Sequence, residues 1–328
     1  MIRSFPRRLA CAGIAACAAL ALVAPLSVAQ AQGIDNLKML VPANAGGGWD
    51  QTGRNLAAAL QTVGVKKVTV DNKGGAGGTI GLAQFVNSAK GDPQAVMIGG
   101  MVMVGAIAMN NSPVNLTMVT PIARLTGEYE VVVVPANSPI KDVNDLLAKF
   151  KANPGSVSWG GGSAGGADHI LAAMMAKSVG VDGSKVNYIP SAGGGEGTSA
   201  ILGGHVTVAI AGYGEYAQLI GSGKLRALGL SADKRLPGVN VPTLKEQGVD
   251  VEVMNWRGIF AAPGITPEQK NALIKVVGDA VKSPAWQETL KKMEWVNLYL
   301  PGDEFKASVD TETKKITAII SEIGLAKK

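Results

Sequence analysis

Between residues 37 and 230, short apolar runs alternate with longer stretches of helical period, and glycines cluster at the joints between them. The runs predict strands at 37–42, 67–71, 95–99, 131–135, 156–159, 186–190, 206–211 and 225–230. Helices are expected over 50–62, 142–151, 167–179, 196–203 and 214–222. Val143, Leu146, Leu147 and Phe150 fall at i, i+3, i+4 and i+7, which is one face of a helix. Ile170, Leu171, Met174 and Met175 repeat the pattern. Strand–helix alternation at this spacing means crossover connections and a mostly parallel sheet. The chain has 328 residues, enough for two domains with separate cores. Its 43 glycines show no Gly-X-Y period, which excludes collagen.

The last third reads differently. Thr266-Pro267-Glu268-Gln269 combines an N-cap, a proline at the first helical position and a capping-box partner. A helix is expected to about Ser283, a second from Pro284 and a third over roughly 303–321, with Phe305, Val309, Ile316, Ile320 and Ile323 on one stripe. This helical tail is expected to pack back on the first domain.

Residues 1–31 read as an export signal: Arg3, Arg7 and Arg8, then an uncharged run from Leu9 to Leu26, then Ala29-Gln30-Ala31. Two alternatives stand beside it, a retained membrane anchor and a lipoprotein box at Ile14-Ala15-Ala16-Cys17. Cleavage near Ala31 would leave an exported mature chain in an oxidising compartment. It removes both cysteines, Cys11 and Cys17, and three arginines, so the net charge falls from +6 to +3. No Lys/Arg run with interleaved aromatics points to nucleic acid. Without cysteines, and with only two isolated histidines, no metal-ligand set is expected; no cofactor is either.

Four glycine clusters lie between an expected strand and an expected helix: Pro42 to Asp50, Asn72 to Thr79, Gly160 to Gly166, and Ser191 to Gly195. Glycine lets backbone approach a ligand closely. The helix that follows offers free N–H groups and the positive end of its dipole, a place for phosphate or carboxylate. One such cluster is simply a turn. Four at the carboxyl ends of strands, where open α/β sheets hold ligands, suggest a binding cleft.

The third cluster admits sharper readings. Gly160-x-Gly162-x-x-Gly165 matches a dinucleotide fingerprint, but Asp182 sits in a turn, the wrong place for the ribose acid. Gly161-x-Ser163-x-Gly165 matches a nucleophile elbow and keeps a secreted serine hydrolase open as the alternative function. That reading needs a later histidine; His169 follows by six residues and His205 comes too early in the chain. His169 is otherwise a helix-face residue or a donor at the cleft. Asp50 and Glu196 are most simply first-turn acids. Trp49 could pack on a ligand or only on its own helix start, and Arg54 has no assigned role.

The ordered series Pro42–Asp50, Asn72–Gly78, Gly162-Ser163-Ala164-Gly165 with His169, Leu202–Val206, Gly223–Leu228, Val241–Gly248, Trp256-Arg257-Gly258 and Ala262-Pro263-Gly264 resembles the periplasmic solute-binding proteins of tripartite tricarboxylate transporters, the TctC or Bug family. The similarity covers residues 37–325. It implies an α/β fold of the type II periplasmic-binding class, with mixed sheets flanked by helices and two crossover strands. One domain would comprise 32–130 plus 252–328 and the other 131–251. It implies a non-enzymatic monomer that closes on a small di- or tricarboxylate and hands it to membrane permease subunits; a sensor role for the same fold stays open. Ala45 stands where the family usually has proline. The candidate ligand contacts are Ala45, Gly46, Gly47, Gly48, Trp49, Asp50 and Gly75 on one side, with Ser163, Ala164, Gly165, His169, Ser191, Ala192, Gly193, Gly212 and Tyr213 on the other.

Overall fold

The structure, a computed structural model, describes residues 34–327. The expected export signal and both cysteines lie outside the described residues.

Ten strands form one mixed sheet with helices on its faces. In chain order the elements are β1 Asn36–Val41, α1 Gly48–Thr62, β2 Lys67–Asn72, α2 Thr79–Ser88, β3 Ala95–Gly100, α3 Met101–Asn110, β4 Thr120–Pro135, α4 Val143–Ala152, β5 Ser158–Gly161 and α5 Ala167–Ser178. Then come β6 Asn187–Pro190, α6 Gly194–Leu202, β7 Val208–Gly212, α7 Tyr213–Gly221, β8 Leu225–Leu230, β9 Met254–Ala261, α8 Pro267–Lys282, α9 Pro284–Met293, β10 Val296–Pro301 and α10 Gly302–Glu322. The order across the sheet is β2-β1-β3-β9-β4-β7-β5-β6, with β8 and β10 also on β4.

The two flanks are parallel, as the alternation requires: β1 with β2 and β3, and β5 with β6 and β7. The centre is not. β4 pairs antiparallel with β7, β8, β9 and β10, and β3 with β9. The expectation of a mostly parallel sheet therefore holds only on the two flanks, β2-β1-β3 and β7-β5-β6. The strand foreseen at 131–135 is the end of a 16-residue strand whose first part, Thr120–Tyr129, pairs with β9 while Glu130–Pro135 pairs with β7 and β8. Strands β9 and β10 and helices α2 and α3 were not foreseen.

Burial follows position in the sheet. All six residues of the inner strand β3 are buried, whereas β2, at the edge, alternates. The helical tail obeys its expected signals. Thr266 Oγ1 accepts from Gln269 N and Gln269 Oε1 from Thr266 N, closing the capping box of α8. On α10, Phe305, Val309, Ile316 and Ile320 are buried, and Phe305 packs its ring against Trp256 and Phe260 of β9. The tail thus seals the central antiparallel strands.

Candidate functional site

Four of the strand–helix junctions open onto one cavity of about 460 Å³. α1 starts at Gly48 after the turn from β1; α5 starts at Ala167 after the turn from β5; α6 starts at Gly194 after the turn from β6. Strand β7 passes directly into α7 at Gly212-Tyr213. The turns meet across the cleft. A Cβ added to Gly47 would lie 3.4 Å from Gly194 N, and one added to Gly193 would lie 3.4 Å from Ala45 O. On a second edge, a Cβ on Gly105 of α3 would lie 1.9 Å from Gly165 O, so glycine at 105 is what lets these backbones touch.

Ten of the sixteen expected contacts line the cavity: Gly47, Gly48, Trp49, Gly75, Ser163, Ala164, Ser191, Ala192, Gly193 and Gly212. The other six, Ala45, Gly46, Asp50, Gly165, His169 and Tyr213, are not part of its wall. Asp50 instead accepts from Gly46 N at 2.9 Å, Arg54 Nε at 2.9 Å and Asn72 Nδ2 at 3.0 Å. Burial alone would raise its pKa; the Arg54 bond, the Gly46 amide and Asn72 outweigh burial and lower it. Arg54 thereby has a role that its distance along the helix hid.

His169 is buried, accepts from Gly165 N at 3.1 Å through Nδ1, and stacks on Tyr188 at 4.1 Å. Desolvation lowers its pKa to about 4, so it is a neutral acceptor that braces the turn. Among the described residues no histidine is hydrogen-bonded to Ser163, and the Nδ1 of His169 is engaged by the Gly165 amide.

Several amides on which the anion-binding argument relied are already taken. Gly162 N donates to Asp168 at 2.5 Å and Ala192 N to Glu196 at 2.9 Å. Asp50, Asp168, Glu196 and Glu215 all sit in the first turn of a helix that starts at the cavity, a placement the helix dipole favours. The amides of Gly47, Ser163, Ala164 and Gly193 have no partner among the described residues.

The floor is an ion pair missing from the expected contacts. Arg257 of β9, 2% exposed, donates through Nη2 to Glu128 of β4 and through Nη1 to Thr52 Oγ1. Trp295 Nε1 donates to the other Glu128 oxygen at 3.0 Å, and its ring lies 5.0 Å from the guanidinium. A Cβ on Gly48 would fall 2.0 Å from Arg257 Nη2, and one on Gly212 would fall 2.2 Å from Glu128 Cδ. Glycine at 48 and 212 therefore makes room for this pair.

Glu130, Asp168 and Glu215 were also missed. The repeated acid in the first turn after each glycine cluster was the available signal for the last two. Burial, then the charge of Asp168, raises Glu215 to about 8; burial raises Asp168 to about 6, against the opposing Gly162 amide. Burial, then Asp168 and Glu215, raises Glu130 well above the carboxylate range. An acid raised in the fold stabilises it fully below its unfolded pKa and loses that contribution as pH climbs through the folded value. His169, lowered in the fold, contributes above about 6.5 and loses its share as pH falls towards 4. Thermal stability should therefore pass through a maximum at mildly acid pH and fall by several degrees towards pH 8.5. Glu215→Gln should flatten the alkaline limb in a pH series of melting curves; an unchanged slope would contradict the assignment.

The sequence profile described as tripartite tricarboxylate transporter family receptor, TctC, matches residues 52–325. The chain belongs to this family. A curated relative from Cupriavidus necator, named for its position in the gbd 5' region, is 32% identical over 96% of this chain and 97% of its own. Among solved structures, periplasmic binding protein BugD superposes with a TM-score of 0.82 at 25% identity, covering 89% of this receptor and 99% of BugD. MatC of Rhodopseudomonas palustris, solved with bound malate, superposes at 0.79 with 21% identity, over 87% and 98% of the two chains. This receptor thus has the two-domain periplasmic-binding fold of a solute-binding protein, and its cavity lies where the glycine turns meet.

Proposed function

We propose that this receptor captures a small carboxylate between its two domains and presents the closed form to the permease subunits of a tripartite transporter. The two domains would divide where β4 exchanges β9 for β7 and β8, as 32–130 plus 252–328 and 131–251. Residues 1–31 would direct export and be removed by cleavage near Ala31.

One observation carries the reading. The unpartnered amides of Gly47, Ser163, Ala164 and Gly193 line a single cavity and come from three different turns. Trp49 Nε1, in the same wall, is also buried without a partner. Trp49 Nε1 is buried and the four amides sit in half-exposed residues facing the cavity, so a guest that displaces the water there has to supply acceptors for them. A carboxylate supplies them, and bonds to a charged group contribute about 1.5–3 kcal/mol each. Four, after the cost of ordering and association, are compatible with micromolar affinity, about −8 kcal/mol. The absence of a histidine on Ser163 favours a receptor over the hydrolase. Titration calorimetry with a panel of mono-, di- and tricarboxylates should give saturable heat for at least one. A silent panel, together with ester turnover that vanishes in Ser163→Ala, would replace this reading with the hydrolase.

A further inference from the structure

Among the described residues, the cavity gathers acids that no cation pairs with. Asp168 of α5 and Glu215 of α7 are in its wall and half-exposed. Glu130 of β4 lies beside Asp168, fully buried, and neither of its carboxyl oxygens meets a donor. It comes within hydrogen-bonding reach of Asp168, a bond that two carboxyls make only when one of them holds a proton. The groups packed around the three are neutral or already engaged. From α1 the Gly48 amide faces Glu215, and from α6 a Cβ on Gly194 would lie 2.6 Å from Glu215 Oε2. Tyr188 of β6 donates to Gly162 O at 3.0 Å, Tyr216 of α7 is buried, and His169 of α5 is neutral. Asn255 of β9 keeps its Oδ1 unpartnered. Arg257 is committed to Glu128, Asp50 to Arg54 and Glu196 to the Ala192 amide, while Lys327 is exposed.

A carboxylate entering this cavity brings a negative charge beside two acids and expels the water that screens them, so an ionised Asp168 or Glu215 would repel it. Protonation removes the repulsion and gives each acid an O–H to donate. We propose that the receptor takes up a proton with its carboxylate, the proton coming from solvent and landing on a carboxylate oxygen of Asp168 or Glu215. The proposal rests on the carboxylate reading above and adds how the ligand's charge is compensated. The state of the acids agrees with it. Burial, then Asp168, holds Glu215 at about 8, and burial holds Asp168 at about 6. Above about pH 6 the cavity therefore carries ionised acid that binding must neutralise, and the cluster titrates as a unit. The sign follows from linkage: the complex holds more protons than the free receptor, so affinity falls as pH rises.

The test is calorimetry with malate, succinate, adipate and citrate at pH 8 in phosphate, HEPES and Tris, whose ionisation enthalpies differ. For any acid that binds, the dependence of heat on buffer should show about one proton taken up, and affinity should fall about tenfold or more between pH 6.5 and pH 8.5. The double variant Asp168→Asn/Glu215→Gln copies the protonated acids. It should abolish the uptake, flatten the pH profile and bind tighter than the parent at pH 8.5. Glu215→Gln alone serves if the double variant does not fold, and should cut the uptake by about half. An acid that binds with no proton uptake, or with release, overturns the proposal and leaves the receptor reading intact. An uptake that neither variant changes does the same. Silence from every carboxylate overturns both.

Discussion

Replacing Arg257 with methionine is expected to lower the free energy of unfolding by about 3–5 kcal/mol. The side chain lies under Gly48 and joins β9 to β4 through Glu128, and both partners are almost fully enclosed. Methionine fills similar volume, so the loss comes from stranding a carboxylate that keeps only Trp295 Nε1 as donor. Urea denaturation measures it. The double variant Glu128→Gln/Arg257→Met should recover most of the loss, because removing both charges removes the desolvated ion. A single-variant loss under about 1 kcal/mol would mean that the pair is hydrated in solution and not sealed by Gly48 and Gly212.

Gly105→Ala should cost about a hundredfold in affinity for whichever carboxylate binds, while leaving the fold intact. Alanine suits the interior of α3 better than glycine by about 1 kcal/mol, so the helix itself gains. The new methyl, however, would sit 1.9 Å from Gly165 O, where no side chain can move aside. The backbones must separate, and overpacking of this kind costs about 1–3 kcal/mol, charged to the closed form alone. Calorimetry gives the affinity. Small-angle scattering should show the variant remaining expanded on adding ligand, while the parent protein compacts. Parental affinity in the variant would show that this contact is not part of closure.

Much of the fold was legible because it rests on local rules. Alternating apolar runs gave the parallel flanks to within about two residues, and Thr266-Pro267-Glu268-Gln269 marked the start of α8 through a cap that needs no tertiary partner. The central strands were hidden for a physical reason. Thr120 to Glu130 and Met254 to Ala261 carry Arg124, Glu128, Glu130, Asn255 and Arg257, so neither segment reads as an apolar run. The charges of Glu128 and Arg257 are tolerated inside because each meets the other from a strand more than a hundred residues away. α3, at Met-Val-Met-Val-Gly-Ala-Ile-Ala, is apolar all round and continues directly from β3, so periodicity had nothing to mark.

The candidate site divides in the same way. The glycine turns were readable as turns, and ten of their residues reach one cavity. That Gly46, Gly162, Gly165 and Ala192 give their N–H groups to the protein's own side chains was not, since each depends on how a first-turn side chain folds back. By itself the sequence determined where strands stop, where helices begin, and hence that several positive helix ends stand at glycine hinges. Only the tertiary structure decided which amides stay free and which acids gather beside them. Those outcomes depend on burial and on the meeting of distant strands, and no local pattern carries either.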